Sequence, residues 1–211
     1  MTRSRRNSED ARRDRGGGTL SGRRLSQAIS EGDGISVIVA VDGPAAAREA
    51  EAGGAEGLLV VAAEASVLAA IKDATELPVI VVFEPGRSVP DGADACIVDV
   101  DDDDPERLES VLADLAHRFE LAPRIRTAEH LEFVLDELDP EVLVLGSDGG
   151  DEPIAEALEL LPDVPAGKLA IADVASTTRD EVVELERAGV DAVIVSARNV
   201  ADLVGTAPPE V

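Results

Sequence analysis

Aromatic residues and cysteine are scarce in this chain of 211 residues, and each scarcity excludes a class of function. There are three Phe, no Trp and no Tyr, which argues against a protein that stacks bases or nucleotides on aromatic rings. The single cysteine, Cys96, lies in the apolar run 95–98, so the chain has no intramolecular disulfide framework and no cysteine-based zinc site. We expect Cys96 to be a small buried hydrophobic residue.

Long apolar runs are also missing. The longest ones fall well short of the ~18 residues that span a bilayer. The arginine-rich N-terminus lacks the apolar segment of a secretory signal. We therefore expect a cytoplasmic protein that does not enter a membrane. Because 45% of the residues are apolar, the chain can bury a core, and its length indicates one domain or at most two small ones.

Charge is unevenly distributed along the chain, which has 44 acidic and 19 basic residues and a net charge of -25. Residues 1–24 contain eight arginines and a net charge of +5, which leaves -30 for the other 187 residues. We predict a disordered basic arm at 1–24 and a folded domain at 25–211. The arm either tethers a nucleic acid or an acidic partner, or is a solvated leader that docks on its own acidic domain. A body of this charge repels phosphate backbones and argues against nucleic acid.

The acid is scattered over nearly every predicted helix, where it keeps the surface hydrated. Our hypothesis is that the protein belongs to a salt-adapted or otherwise highly acidic proteome. A loss of helicity at low salt would support it, and unchanged helicity would contradict it.

Short β-branched runs alternate with amphipathic Ala/Leu/Glu stretches from residue 35 onward. The runs predict eight strands, at 35–41, 57–61, 79–83, 95–100, 121–125, 142–146, 169–173 and 192–196. Helical patterns lie between them, except that residues 85–92 contain two prolines and two glycines, so the third helix is short or missing. This alternation predicts a compact (β/α)8 TIM barrel, with an open flavodoxin-like sheet as the alternative. No dinucleotide-binding or P-loop motif follows a strand.

Two stretches resemble the indole-3-glycerol phosphate synthase family, a (β/α)8 enzyme family of tryptophan biosynthesis. One runs from Leu25-Ser26-Gln27-Ala28-Ile29 through the first predicted strand to Asp42, and is similar to the family's leader helix and first strand. The other runs from Ser176-Thr177-Thr178-Arg179 to Gly189-Val190-Asp191-Ala192-Val193, and resembles the family's seventh helix and eighth strand. In outline the resemblance covers residues 25–205.

The resemblance implies a carbon-carbon lyase that uses a lysine as general acid, a second lysine and several glutamates. Most of these positions have changed in this sequence: they correspond to Ala40, Asp42, Val82, Arg124, Gly146, Ser147, Asp173, Ala175, Ser196, Ala197 and Arg198. Only Lys72 and Lys168 are present, and neither ends a predicted strand. Because a general acid must reach the proton that it transfers, we do not expect the family's usual reaction.

Barrel enzymes place their chemistry after the strands, so the ionisable residues at those positions are the candidate site. They are Asp42, Glu84, Asp99, Arg124, Arg126, Asp148, Asp173 and Arg198. We predict Asp173 and Asp42 as catalytic residues. The candidates for binding a phosphate or carboxylate are Arg124, Arg126, Ser176, Ser196 and Arg198. The alternative is a structural cluster in which Arg124 and Arg126 neutralise Asp42 and Asp173 across the mouth.

We expect neither a metal ion nor a cofactor. The run Asp101-Asp102-Asp103-Asp104 is more typical of a helix cap and solvated turn than of a calcium loop. Two functions stay open: a barrel without synthase activity that binds a ligand or regulates, and a divergent lyase or isomerase acting on a phosphorylated sugar. The candidate partner is a phosphorylated small molecule, and the protein is a monomer or a homodimer. A third hypothesis is that the basic arm makes the protein an interaction module, with the barrel as its carrier.

Overall fold

The computed structural model describes residues 23–61, 64–100, 105–147, 150–176, 178–196 and 200–203, without the side chains of 105–107, 175 and 176. Its strands are β1 (Ser36–Val41), β2 (Gly57–Val60), β3 (Val79–Val82), β4 (Ala95–Asp99), β5 (Glu120–Ile125), β6 (Val142–Gly146), β7 (Leu169–Ser176) and β8 (Ala192–Val195). They pair in parallel in chain order, and β8 pairs with β1. The sheet is therefore a closed barrel, as predicted, and not an open sheet.

Helices alternate with these strands. They are α1 (Arg24–Glu31), α2 (Pro44–Ala52), α3 (Ala65–Lys72), α4 (Pro105–Ala116), α5 (Ala128–Glu137), α6 (Pro153–Leu160), α7 (Arg179–Ala188) and α8 (Val200–Leu203). Local sequence explains several boundaries. Proline opens α2 and α6, where a missing N–H costs nothing. Thr178 and Glu181 form a capping box at α7, and Gly189 ends that helix with φ of 99°. No helix described here is long and apolar enough to cross a membrane.

The connection from β3 to β4, residues 83–94, contains no helix, as the sequence predicted. Arg118, in the turn between α4 and β5, holds this loop by donating from Nη2 to the Val89 carbonyl at 3.0 Å and to Asp91 at 2.7 Å. Val89 is thereby buried against the outer face of the sheet together with Cys96. Burial raises the pKa of the Cys96 thiol to about 12, so it behaves as the predicted hydrophobic residue.

The core has two layers because strand side chains alternate between the two faces of the sheet. One layer fills the barrel and includes Ile38, Leu59, Ile80, Ile97, Ala122, Val144, Ile171 and Ile194. The other layer lies between the sheet and the helices and holds most of the buried Val and Leu. Since both faces of the strands are covered, their sequences are nearly continuous apolar runs.

Helix α1 closes the N-terminal end of the barrel. Its Leu25 and Ile29 are buried in the interior layer. Glu120, at the start of β5, accepts hydrogen bonds from the backbone N–H groups of Leu25 at 3.0 Å and Ser26 at 3.1 Å. This carboxylate satisfies N–H groups that the first turn of a helix leaves without partners. Burial raises the pKa of Glu120 above its usual value.

A second buried carboxylate reinforces the same end of the barrel. Asp94 pairs with Arg24 at 3.1 Å and with Lys72 at 2.6 Å, and accepts from the Val79 N–H at 2.8 Å. The last two arginines of the predicted arm thus belong to the folded unit, since Arg23 also pairs with Glu141 at 3.0 Å. The rest of the predicted arm, residues 1–22, lies outside the described residues. Because helix and ion pairs seal this end, a ligand would enter the barrel from the opposite end.

Candidate functional site

Three charged side chains follow the interior layer toward the C-terminal mouth of the barrel. Asp99, Arg124 and Asp173 each stand two residues after a barrel-filling residue of β4, β5 and β7. The two-residue period of a strand therefore directs all three toward the interior. In this fold the C-terminal mouth is where ligands bind and chemistry occurs.

Four side chains form a continuous chain of ion pairs at this mouth. Arg124 Nη2 lies 2.6 Å from Asp173 Oδ2, and its Nη1 lies 3.1 Å from Asp99 Oδ1 and 3.2 Å from Asp99 Oδ2. Arg126 Nη2 lies 2.6 Å from the same Asp99 Oδ1. We call these four residues the mouth cluster. Two guanidiniums meet two carboxylates, so the formal charge of the cluster is zero.

Strand order explains which residues meet. Asp99 and Arg124 are register partners on neighbouring strands β4 and β5, so their side chains are adjacent. Asp173 lies two strands from Arg124, and the Arg124 side chain crosses β6 to reach it. It passes over Gly146, the register partner of Asp173, where an added Cβ would lie 3.4 Å from the Arg124 Cγ and Cδ. A glycine at this position leaves room for the arginine stem.

The Arg124–Asp173 half of the cluster is more buried than the Asp99–Arg126 half. The exposed fractions of the side chains are 14% for Arg124, 24% for Asp173, 30% for Arg126 and 40% for Asp99. Within the described residues, the Nε–H of Arg124 is buried and donates to no protein acceptor. A buried donor without an acceptor is costly, and a bound ligand or water is the usual remedy. The cluster is thus anchored on one side and open to solvent on the other.

Asp42 does not join the mouth cluster, which corrects the expected partnership. β1 lies four strands from β5 around the barrel, too far for a short carboxylate to reach the arginines. Asp99, on the strand next to β5, takes its place in the ion pairs. Asp42 is exposed and instead lines a cleft of about 490 Å³ together with Val61, Ser196 and Val200.

The other predicted ligand residues are placed as follows. Ser196 is exposed and lies in the Asp42 cleft rather than beside the arginines. The backbone of Ser176 ends β7, but its side chain is outside the described part of the structure, as are Arg198 and Asp148. Arg124 and Arg126 are therefore the two predicted anion-binding residues that the structure brings together.

Arg126 also faces a second cleft, of about 670 Å³, between α5 and α6. Three carboxylates, those of Glu156, Glu159 and Asp163, line this cleft as well. Their charge disfavours an anion there, so an anion would approach Arg126 from the barrel mouth. The described residues contain no group of three or more side chains arranged to hold a metal ion, and the run 101–104 lies outside them.

Both lysines of the chain lie at the N-terminal end of the barrel. Lys72 pairs with Asp94, directly before β4. Lys168 precedes β7 and donates to the Asp139 carbonyl at 3.1 Å, before β6. At the mouth end of β3, where the resemblance implies a lysine, Val82 packs against the interior layer. No lysine of this chain can deliver a proton at the mouth.

No protein-family model matches the chain, and no curated protein matches it. The resemblance to the indole-3-glycerol phosphate synthase family therefore depends on the two sequence stretches alone.

Sequence reasoning placed Asp99 at the mouth but gave it no role. The role of Asp99 follows from its register partnership with Arg124, which is known only once β4 and β5 are aligned in the barrel. For Gly146 the sequence shows only a position that differs from the family. Its contact with the Arg124 stem depends on three-dimensional packing.

Proposed function

We propose that this protein is a TIM barrel that binds a small phosphorylated ligand at its C-terminal mouth and does not catalyse the indole-3-glycerol phosphate synthase reaction. The supporting observation is the shared contact of Arg124 and Arg126 with one carboxylate oxygen of Asp99. Two guanidiniums that converge on one oxygen fit a phosphate or carboxylate group. The ligand enters at the mouth, since α1 occupies the other end.

The proposed loss of synthase activity follows from the positions of the lysines. The family's reaction needs a lysine acid at the mouth, and both lysines are engaged in ion pairs at the N-terminal end. We propose a cytoplasmic ligand-binding or regulatory protein, a pseudoenzyme of tryptophan-biosynthesis type. Purified protein should form no indole-3-glycerol phosphate from the anthranilate-linked ribulose phosphate. Turnover that disappears in Asp173→Ala would contradict this part of the proposal.

Binding is tested by thermal unfolding with ribose 5-phosphate and inorganic phosphate, compared with ribose and with chloride at the same ionic strength. A ligand at 100 times its Kd stabilises the native state by about 2.7 kcal/mol. For a chain of this size that corresponds to a rise in Tm of about 5–10 °C. Arg126→Gln should abolish the rise, and Arg48→Gln, an exposed arginine on α2, should retain it. Equal melting temperatures with and without phosphate would contradict the proposal.

A second candidate is a divergent lyase or isomerase that acts on a phosphorylated sugar. The observation in its favour is that the Asp173 carboxylate is partly exposed at the mouth and is held in position by Arg124, as a general base must be. In that case Arg126 binds the phosphate and Asp173 moves the proton. Exchange of substrate C–H hydrogens with deuterated water, abolished in Asp173→Asn while phosphate binding persists, would separate this candidate from simple binding.

A further inference from the structure

The most informative contact of the mouth cluster is the one that Asp99 makes with both arginines. Its Oδ1 accepts from Arg124 Nη1 at 3.1 Å and from Arg126 Nη2 at 2.6 Å, and its Oδ2 lies 3.2 Å from Arg124 Nη1. This is the contact that a phosphate or carboxylate ligand makes with a pair of arginines. The anion position of the cluster is thus filled by a side chain of the protein itself.

The two carboxylates of the cluster are held differently. Asp173 bonds to Arg124 from across β6 and is 24% exposed, whereas Asp99 is 40% exposed and ends its strand. The net stability that an ion pair contributes falls as its exposure to solvent rises. A phosphate carries more charge and more acceptor oxygens than one carboxylate. Asp99 is therefore the partner that an incoming phosphate can replace, while Asp173 keeps Arg124 in place.

We infer that Asp99 is a built-in counter-ion that occupies the anion site of the empty barrel and is displaced by the phosphorylated ligand. The inference rests on the proposed function, because it concerns the same two arginines. Asp99 then sets the affinity: each ligand must compete with an anion that is already in position. Asp99 also sets specificity. A monoanionic carboxylate ligand interacts with the two arginines about as strongly as Asp99 does, whereas a phosphate dianion interacts with them more strongly.

The test is the affinity of wild type and Asp99→Asn for inorganic phosphate and ribose 5-phosphate, measured by calorimetry on the full chain. Asparagine keeps the size of the side chain and removes its charge. We expect Asp99→Asn to bind both ligands about tenfold more tightly than wild type, because the competing charge is gone. Asp99→Ser, which cannot bridge the two arginines, should behave in the same way, and covers the case in which Asp99→Asn does not fold.

Two controls separate local competition from a general change in charge. Asp114→Asn removes one exposed negative charge near the C-terminal end of α4, which leads to the start of β5 at the end of the barrel opposite the mouth, and should leave the affinity unchanged. The double variant Asp99→Asn/Arg126→Gln should not show the increased affinity, because it lacks the Arg126 guanidinium that the loss of Asp99 frees for the ligand. An equal gain in Asp114→Asn, or a gain that persists without Arg126, would overturn the inference.

The outcomes also separate this inference from the proposed function. If wild type binds phosphate and neither Asp99 variant binds it more tightly, the counter-ion role is wrong and the binding function stands. If only the Asp99 variants bind, the counter-ion role is supported and ligand binding by the native chain is wrong. If no variant binds phosphate or ribose 5-phosphate, both proposals are overturned.

Discussion

The ion pair between Arg124 and Asp173 should be markedly stronger than the pair between Arg126 and Asp99, and a pair of double-mutant cycles can measure the difference. Both pairs have the same N–O distance, 2.6 Å, so burial is the variable that distinguishes them. The side chains of the first pair are 14% and 24% exposed, and those of the second are 30% and 40% exposed. The comparison therefore tests whether one carboxylate is an anchor and the other is replaceable.

The expected magnitudes follow from this burial. Two unit charges about 4 Å apart near a protein surface attract by about 4 kcal/mol, and desolvation offsets a large part of this. A net coupling of about 1–2 kcal/mol is expected for Arg124 and Asp173. For Arg126 and Asp99 we expect about 0.5 kcal/mol, in the range of exposed pairs.

The first cycle consists of wild type, Arg124→Gln, Asp173→Asn and the double variant, and the second uses Arg126→Gln and Asp99→Asn. The free energy of unfolding is measured from urea denaturation at neutral pH, and the coupling is the departure from additivity. The coupling of the second cycle should also decrease more steeply with salt, since exposed pairs are screened more. A coupling in the first cycle that does not exceed that of the second would refute the reasoning.

Three further predictions concern the barrel that supports the site. Leu25→Ala should lower the free energy of unfolding by about 2–5 kcal/mol in urea denaturation, whereas Gln27→Ala, at an exposed position of the same helix, should change it little. A small effect of Leu25→Ala would show that α1 does not close the N-terminal end of the barrel. The raised pKa of Glu120 means that its protonated form stabilises the native state below the usual pKa of 4.5, and that this stability is lost as pH rises through the raised native value. The free energy of unfolding of Glu120→Gln should therefore increase relative to that of wild type as pH rises. A difference between the two that does not depend on pH would contradict this. Gly146→Val should displace the Arg124 stem and reduce phosphate binding with little loss of helix content by circular dichroism, and unchanged binding would argue against the packing described at Gly146.

The strands were predictable to within one residue at every end but one, because a parallel barrel buries both faces of each strand and leaves a continuous apolar run. The exception is β7, which continues to Ser176 instead of ending at residue 173. Its pairing with β8 is irregular between Ala172 and Ser176, and no apolar pattern in the sequence signals such an irregularity. Helices lie between the strands as predicted, and Pro or Thr marks the start of α2, α5, α6 and α7.

The site was less predictable, because it depends on which side chains cross between strands. The sequence places both arginines and both candidate aspartates at strand ends, but it does not show that Asp99 reaches Arg124 and that Asp42 does not. Glu120 and Asp94 were not predicted at all. Each is an acidic residue directly before or at the start of an apolar run, a position that indicates a buried carboxylate only once α1 is known to cover that end.

The acidity of the chain makes a distinctive prediction for its proposed anion site. A net charge of -25 repels phosphate at long range, while the two arginines attract it at contact. Raising salt from about 10 mM to about 100 mM shortens the screening length from about 30 Å to about 10 Å, so it removes the repulsion first. Phosphate affinity should therefore rise about threefold over this range, measured by calorimetry, instead of falling as at a basic surface. A steady fall in affinity would mean that the local arginines, and not the acidic body, determine the approach of the ligand.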